Sequence, residues 1–304
     1  MRARFWGVRG SYPVPGPATN RYGGNTSCVQ VTPEDGSIII IDAGTGIRRL
    51  GQELMKGPCG QGQGVVHLLI SHTHWDHVQG LPFFAPLHKD GNLIRIYSRR
   101  QDDTHLKRIF AQVTDDPYFP VPIDEMKSRL EFVDLKEGAR FSVVAVSLKK
   151  KRLNHPSVAM AYRLDSNGRS LVYVSDTAPF RDLLMEHEFI PAPPSPDEHL
   201  DPDDVALLAN MRHGVVSLCR EADVVIYDTH FTEAEYAKWP HWGHSAPCHA
   251  IEILDEARAK KLVLFHHAPQ HDDETMDTIV SQTRSTVEGR MEVEAAREGW
   301  EFEV

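Results

Sequence analysis

The stretch Val65-Val66-His67-Leu68-Leu69-Ile70 runs directly into Ser71-His72-Thr73-His74-Trp75-Asp76-His77-Val78-Gln79-Gly80. A short run that is apolar at nearly every position predicts a strand buried on both faces. The loop after such a strand is where a rigid scaffold gathers functional side chains. Side chains alternate along an extended chain, so His72 and His74 point to one side and can close on one ion. Asp76 and His77 fall after the turn, at the start of a helix expected from Val78 to Leu87, and can face a second ion. Imidazole suits zinc, iron or nickel, and an added carboxylate widens the choice towards manganese. The alternatives are a histidine-rich loop without metal, or one ion held by His72, His74 and a carboxylate. Four potential ligands within six positions after a strand favour the metal site.

Working outward, Arg2 to Val8, Ser27 to Thr32 and Ser37 to Asp42 read as three strands of a β-meander. Pro33-Glu34-Asp35-Gly36 forms the second turn, with glycine placed for positive φ. Ile38-Ile39-Ile40-Ile41 is apolar on both faces and ends in Asp42. That carboxylate can cap the helix expected from Ile47 to Lys56, or accept a hydrogen bond from a ligand imidazole, or do both. Further strands are expected at Leu93 to Tyr97, Leu130 to Val133, Ala139 to Leu148, Val158 to Leu164 and Ser170 to Ser175, with a helix from about Asp102 to Val113. The strand ending at Ser175 is followed by Asp176, and Lys261-Leu262-Val263-Leu264-Phe265 is followed by His266-His267. Strand ends of this kind collect along one rim in sandwich and α/β architectures, whatever their separation in sequence. In Leu153-Asn154-His155-Pro156, proline forces His155 to be extended.

The chain has 304 residues, 41% of them hydrophobic and 25% charged, which suits a globular chain with a sizeable core. Its formal charge of -10 argues against a broad phosphate-binding surface. The only dense basic run, Lys149-Lys150-Lys151-Arg152, reads as a solvated strand end. The 4 cysteines show no Cys-x-x-Cys spacing, so neither a zinc ribbon nor a disulfide framework is indicated and a cytoplasmic location is expected. No apolar segment long enough for a membrane span or signal peptide is present near Met1. The Pro-rich run from Phe189 to Glu198 must be loop.

The motif His72-Thr73-His74-Trp75-Asp76-His77, with Asp42, His155, Asp176 and His266 in that order, resembles the metallo-β-lactamase superfamily along almost the whole chain. The resemblance implies an α/β (α+β) fold, a four-layer αβ/βα sandwich formed by residues 1–304 as a single domain, with a Pro-rich acidic insertion at about 180–220. Phe5-Trp6-Gly7-Val8-Arg9-Gly10-Ser11, Tyr22-Gly23-Gly24-Asn25-Thr26-Ser27-Cys28 and Trp242-Gly243-His244-Ser245 resemble the branch of cyclic-nucleotide phosphodiesterases and the tRNA 3′-processing endonuclease RNase Z. Carried over, the resemblance makes His72, His74 and His155 the ligands of one ion and Asp76, His77 and His266 those of the other. Asp176 would bridge, Asp42 would orient the ligand loop, and His267 would lie behind the ligands or face the substrate. The implied cofactors are two divalent metal ions, zinc first, with manganese or iron as alternatives.

Two ions roughly 3.5–4 Å apart activate a water for in-line attack on phosphorus and neutralise charge on the phosphate oxygens. Asp76 is thereby catalytic as well as a ligand. The leaving oxygen needs a proton, and His244, ahead of a helix expected from Ala246 to Ala259, is the first candidate general acid. The RNase Z relatives carry a His-Glu-Ala-Thr tetrad after the strand corresponding to Asp223 to Tyr227. Here its histidine position falls on Tyr227, and His230 is a nearby substitute. Those relatives also carry a basic arm for tRNA, whereas Asp197 to Asp204 is acidic. The expectation is therefore a homodimeric phosphodiesterase acting on a small phosphodiester, a cyclic nucleotide foremost, with nucleic acid disfavoured as a partner, no membrane, and residues 203–220 forming a lid or dimer helix. The alternatives are an RNase Z-like nuclease, or a thioester or lactone hydrolase of the same fold.

Overall fold

The computed structural model describes residues 1–99, 106–114, 119–135, 141–185, 188–190 and 201–304. Strands are β1 (Arg2–Gly7), β2 (Cys28–Thr32), β3 (Ile38–Ile41), β4 (Val65–Leu69), β5 (Leu93–Ser98), β6 (Arg129–Asp134), β7 (Phe141–Val143), β8 (Val146–Arg152), β9 (Met160–Ser166), β10 (Arg169–Val174), β11 (Leu183–Met185), β12 (Glu188–Ile190), β13 (Val224–Asp228), β14 (Lys261–Phe265), β15 (Glu292–Ala295) and β16 (Glu301–Glu303). Helices are α1 (Ile47–Leu54), α2 (Trp75–Val78), α3 (Leu106–Val113), α4 (Pro202–Cys219), α5 (Glu233–Tyr236), α6 (Pro247–Ala257) and α7 (Asp273–Val287). Two large sheets flanked by helices make the mixed α/β class expected from the sequence.

The chain forms two compact units, one of residues 1–139, 143–145 and 297–303, the other of residues 140–142, 146–296 and 304. In the first, the sheet order is β16-β1-β2-β3-β4-β5-β6. The expected meander is present as antiparallel β1, β2 and β3. From β3 onward the pairing is parallel, which requires strands buried on both faces and accounts for the four isoleucines of β3 and the apolar β4. Ile40, Leu68, Ile94 and Ile96 form one core with Ile47 and Leu50 of α1.

In the second unit the order is β15-β14-β13-β10-β9-β8-β7, parallel from β10 to β15. Helix α4 lies on β8 and β9, α6 on β14 and α7 on β15. The expected helix over residues 203–220 is therefore α4, and its buried Leu208, Met211, Val215 and Leu218 make it part of the wall of this unit rather than a lid. The side chain of Lys151 covers Gly214, where an added Cβ would lie 3.2 Å from Lys151 Cδ. The basic run is thus only partly solvated, with Lys150 buried and Lys149 paired with Asp165 at 3.0 Å.

Several expectations are corrected. The helix expected from Val78 to Leu87 is replaced by the four-residue α2 and two 3₁₀ turns, Leu81–Phe83 and Ala85–His88. Pro82 and Pro86 cannot donate to a continuous helix. The single strand expected from Ala139 to Leu148 is a pair, β7 and β8, with Val144 at φ 53° in the turn between them. Residues 102–105, 139–140 and 191–200, parts of the expected α3, β7 and Pro-rich acidic segments, lie outside the described residues. Among the described residues no helix is long and apolar enough to cross a membrane.

At the start of α6, His249 Nδ1 accepts the Ala246 N–H at 3.1 Å, satisfying one of the orphan donors of a helix N-terminus. Burial, with Arg181 adding to it, pushes His249 down to about 4. The unfolded chain takes up this proton near pH 6.5 and the folded one does not, so stability is full above 6.5 and is lost as pH falls towards 4. Between pH 7 and pH 5 the wild-type protein should lose about 2 kcal/mol more than His249→Gln, read from chemical denaturation at each pH.

Candidate metal centre

The residues after β3 and β4 come together because these strands are parallel neighbours, with Ile41 opposite Leu69 and the Asp42 N–H bonded to Leu69 O at 2.9 Å. Asp42 leaves the strand at φ 62°, a left-handed conformation rare for residues other than glycine and one that clusters at functional sites. Its carboxylate turns into the loop. Oδ1 accepts from Ser71 N at 2.7 Å, and Oδ2 accepts from Ser71 Oγ at 2.8 Å and from His77 Nδ1 at 2.8 Å. A carboxylate only accepts, so His77 carries its proton on Nδ1 and presents Nε2 as the ligating atom. Ser71 Oγ spends its proton on Asp42 and accepts from His72 Nδ1 at 3.1 Å, which fixes the His72 ring in the same sense. Asp42 therefore acts on the ligand loop and not as the cap of α1, whose N-cap is Gly46.

The rings of His72 and His74 lie 4.6 Å apart, and those of His72 and His77 4.2 Å. Asp76 Oδ2 is 3.3 Å from His77 Nε2 and accepts the Ser11 N–H at 2.7 Å. Ser11, at φ 62°, is the second left-handed residue here. Gly44 lets the loop close, since a Cβ at that position would sit 2.4 Å from Asp76 O.

In the second unit the same construction recurs at β10, β13 and β14. Asp176 follows β10 and its Oδ1 lies 3.3 Å from His266 Nε2. His266 follows β14 at φ 61°. Asp228 ends β13 and is fully buried. Its Oδ2 accepts from Thr177 N at 3.1 Å and from His244 Nδ1 at 3.1 Å, and its Oδ1 accepts from His230 N at 3.0 Å. His244 is thereby held with Nε2 as its working atom. His230 stacks on His244 with ring centres 4.4 Å apart and donates Nδ1–H to His266 O at 3.0 Å. Burial first, then His244 and His266, push His230 well below the usual histidine range, so it is neutral at physiological pH. Ligand-type atoms of Asp176, Asp228, His244 and His266 all lie within 4.8 Å of one another.

His155 donates Nδ1–H to Gly243 O at 3.0 Å, again presenting Nε2. Gly243 is at φ 85°, and a Cβ there would fall 2.4 Å from His155 Nδ1. His267 points elsewhere: Nε2 donates to Ala296 O at 2.8 Å, tying the end of β14 to the end of β15. The donor set fits a divalent metal, since each unit offers buried imidazole nitrogens with carboxylate oxygens, and the Nδ1 atoms of His72, His77, His155 and His244 are engaged by oxygen acceptors. Asp228 is the residue that sequence reasoning passed over, although β13 ends in a carboxylate as β3 and β10 lead into one.

A family description, the beta-lactamase superfamily domain, matches residues 38–191. Ribonuclease Z of Haloarcula marismortui is 25% identical, the match covering 100% of this chain and 97% of that protein. The human short form of tRNase Z superposes with a TM-score of 0.63 at 21% identity, covering 100% of this chain and 99% of that one. A metallo-beta-lactamase fold protein of Bacillus subtilis superposes at 0.68 with 16% identity, covering 100% and 98%.

An enzyme named for RNA cleavage thus matches over the whole chain, and the expectation that nucleic acid is disfavoured as a partner does not stand. That expectation leaned on the acidic segment, yet Asp201 caps α4 by accepting from Asp203 N at 2.9 Å, and Asp203 and Asp204 lie in its first turn. Carboxylates there serve the helix N-terminus.

Asp42→Asn should lower metal affinity by about ten- to a hundredfold while leaving the fold intact, because the amide cannot both accept from Ser71 and orient His77. Metal content after dialysis against graded chelator checks this.

Proposed function

Because the chain belongs to the beta-lactamase superfamily, we propose that it is a metal-dependent ribonuclease of the RNase Z kind, hydrolysing a phosphodiester bond in RNA. The observation that carries the reading is the full-length likeness to a ribonuclease Z, at 25% identity, in a chain whose buried imidazoles are oriented by carboxylates. In this reading His72, His74, Asp76 and His77 of the first unit, and His155, Asp176 and His266 of the second, would serve as ligands of divalent ions. Zinc is the first choice of metal, with manganese and iron as alternatives. When bound, the pair of ions supplies an activated water and neutralises charge on the phosphate.

The protein's own groups supply orientation and a proton. Asp42 keeps the His77 ring in place through a 2.8 Å bond, and Ser71 passes the same constraint to His72. Asp228 holds His244 at 3.1 Å, so that a proton on Nε2 can be delivered to the leaving oxygen. His230 positions His244 by stacking on it and fixes the backbone carbonyl of His266. A cytoplasmic setting accords with the four cysteines, all of them free thiols.

Zinc-loaded and manganese-loaded preparations assayed on a precursor RNA with a 3′ extension should cut a single phosphodiester and release that extension. Turnover of 3′,5′-cyclic nucleotides without any RNA cleavage would overturn the proposal. His244→Ala should retain both equivalents of metal and lose about 10²- to 10⁴-fold in kcat. Undiminished kcat would remove His244 as the proton donor.

A further inference from the structure

Resting on the RNA reading above, we propose that Trp242 is a stacking platform for the unpaired nucleobase next to the scissile phosphodiester, so that this one indole sets the preference for single-stranded RNA. Exposure of a tryptophan is unremarkable alone, since much of any protein surface is apolar. Trp242 is 48% exposed, but it is also fixed. It ends the 3₁₀ turn Pro240–Trp242, where proline restricts the backbone and Trp242 N bonds to Trp239 O at 3.2 Å. The next residue is Gly243, whose carbonyl holds His155 at 3.0 Å. The turn that carries the indole is therefore part of the backbone that orients a candidate ligand.

The ring is backed as well as tethered. Its centre lies 5.7 Å from that of Trp239 and 6.0 Å from that of Phe231. Phe231 is buried and sits 5.8 Å from the His244 ring. Aromatic contacts thus run from His244, through Phe231, to an indole with an open face. A fixed flat apolar face joined to His244 through one buried ring suits a base flanking the bond that is cut. Every base has a π-face, so such a contact tolerates sequence but requires that the base be unstacked from its neighbours, as in single strands and ends.

The test compares wild type, Trp242→Ala and Trp242→Phe on a short single-stranded RNA and on analogues with an abasic ribose on either side of the cut bond. Trp242→Ala should raise KM by about ten- to a hundredfold on the base-bearing RNA with kcat little changed, and Trp242→Phe should recover most of the loss. On the matching abasic analogue the two proteins should differ by less than about threefold, the expected loss of coupling once the base is gone. Equal losses on base-bearing and abasic RNA, or no loss on either, would overturn the platform. Metal content of each variant is measured in parallel, since a disturbed His155 would lower it and stacking would not. Indole fluorescence during titration with the RNA gives a readout that does not need turnover. Quenching that disappears in Trp242→Ala, in a protein that cleaves no RNA, would sink the ribonuclease reading and leave the platform. Cleavage that ignores the Trp242 substitutions would do the reverse.

Discussion

Two buried carboxylates, Asp42 and Asp228, set the direction of the imidazoles around them, and the candidate centre depends on that constraint. Both are fully buried. A carboxylate taken out of water is costly unless its oxygens receive hydrogen bonds. Asp42 receives three donors, from Ser71 N, Ser71 Oγ and His77 Nδ1, and Asp228 receives its own from Thr177 N, His230 N and His244 Nδ1. Satisfying the acid and orienting the ring are thus one event. Because a carboxylate cannot donate, each bond also fixes which ring nitrogen carries the proton and which is available for metal or proton transfer.

Those carboxylates reach their places through the parallel strands. Strands buried on both faces can carry chemistry only where they end, and β3, β10, β13 and β14 all end at or just before a ligand-type residue. Leaving a strand abruptly has a conformational cost: Asp42 and His266 sit at φ 62° and 61°, a strain on the order of 1–3 kcal/mol each. The hydrogen bonds that converge on these turns offset it. Glycines make room, as where a Cβ on Gly80 would fall 2.0 Å from Gly44 O.

Much of this was readable in the residues. His72 to His77 is dense enough in ligands to declare itself, and Asp42, Asp176 and His266 follow apolar runs that mark buried strands. Asp228 carries no signature in the sequence, since its role arises from contacts with His230 N and His244 Nδ1 that form only in the folded chain. Gly243 could not be understood without the third dimension, since its requirement arises from His155, 88 positions away. The helix misread from Val78 to Leu87 shows apolar periodicity losing to proline, which breaks the run into 3₁₀ turns at Leu81–Phe83 and Ala85–His88.

Net charge misleads for a different reason. A formal charge of -10 is a sum, whereas recognition responds to where charges lie. Asp201, Asp203 and Asp204 are committed to the N-terminus of α4, and Asp42, Asp176 and Asp228 are buried among imidazoles. Three of these six are thus buried and three stand at one helix end. Of the carboxylates counted in that sum, those at the ends of β3, β10 and β13 face imidazoles, where their charge fixes ring orientation instead of repelling an anion at the surface.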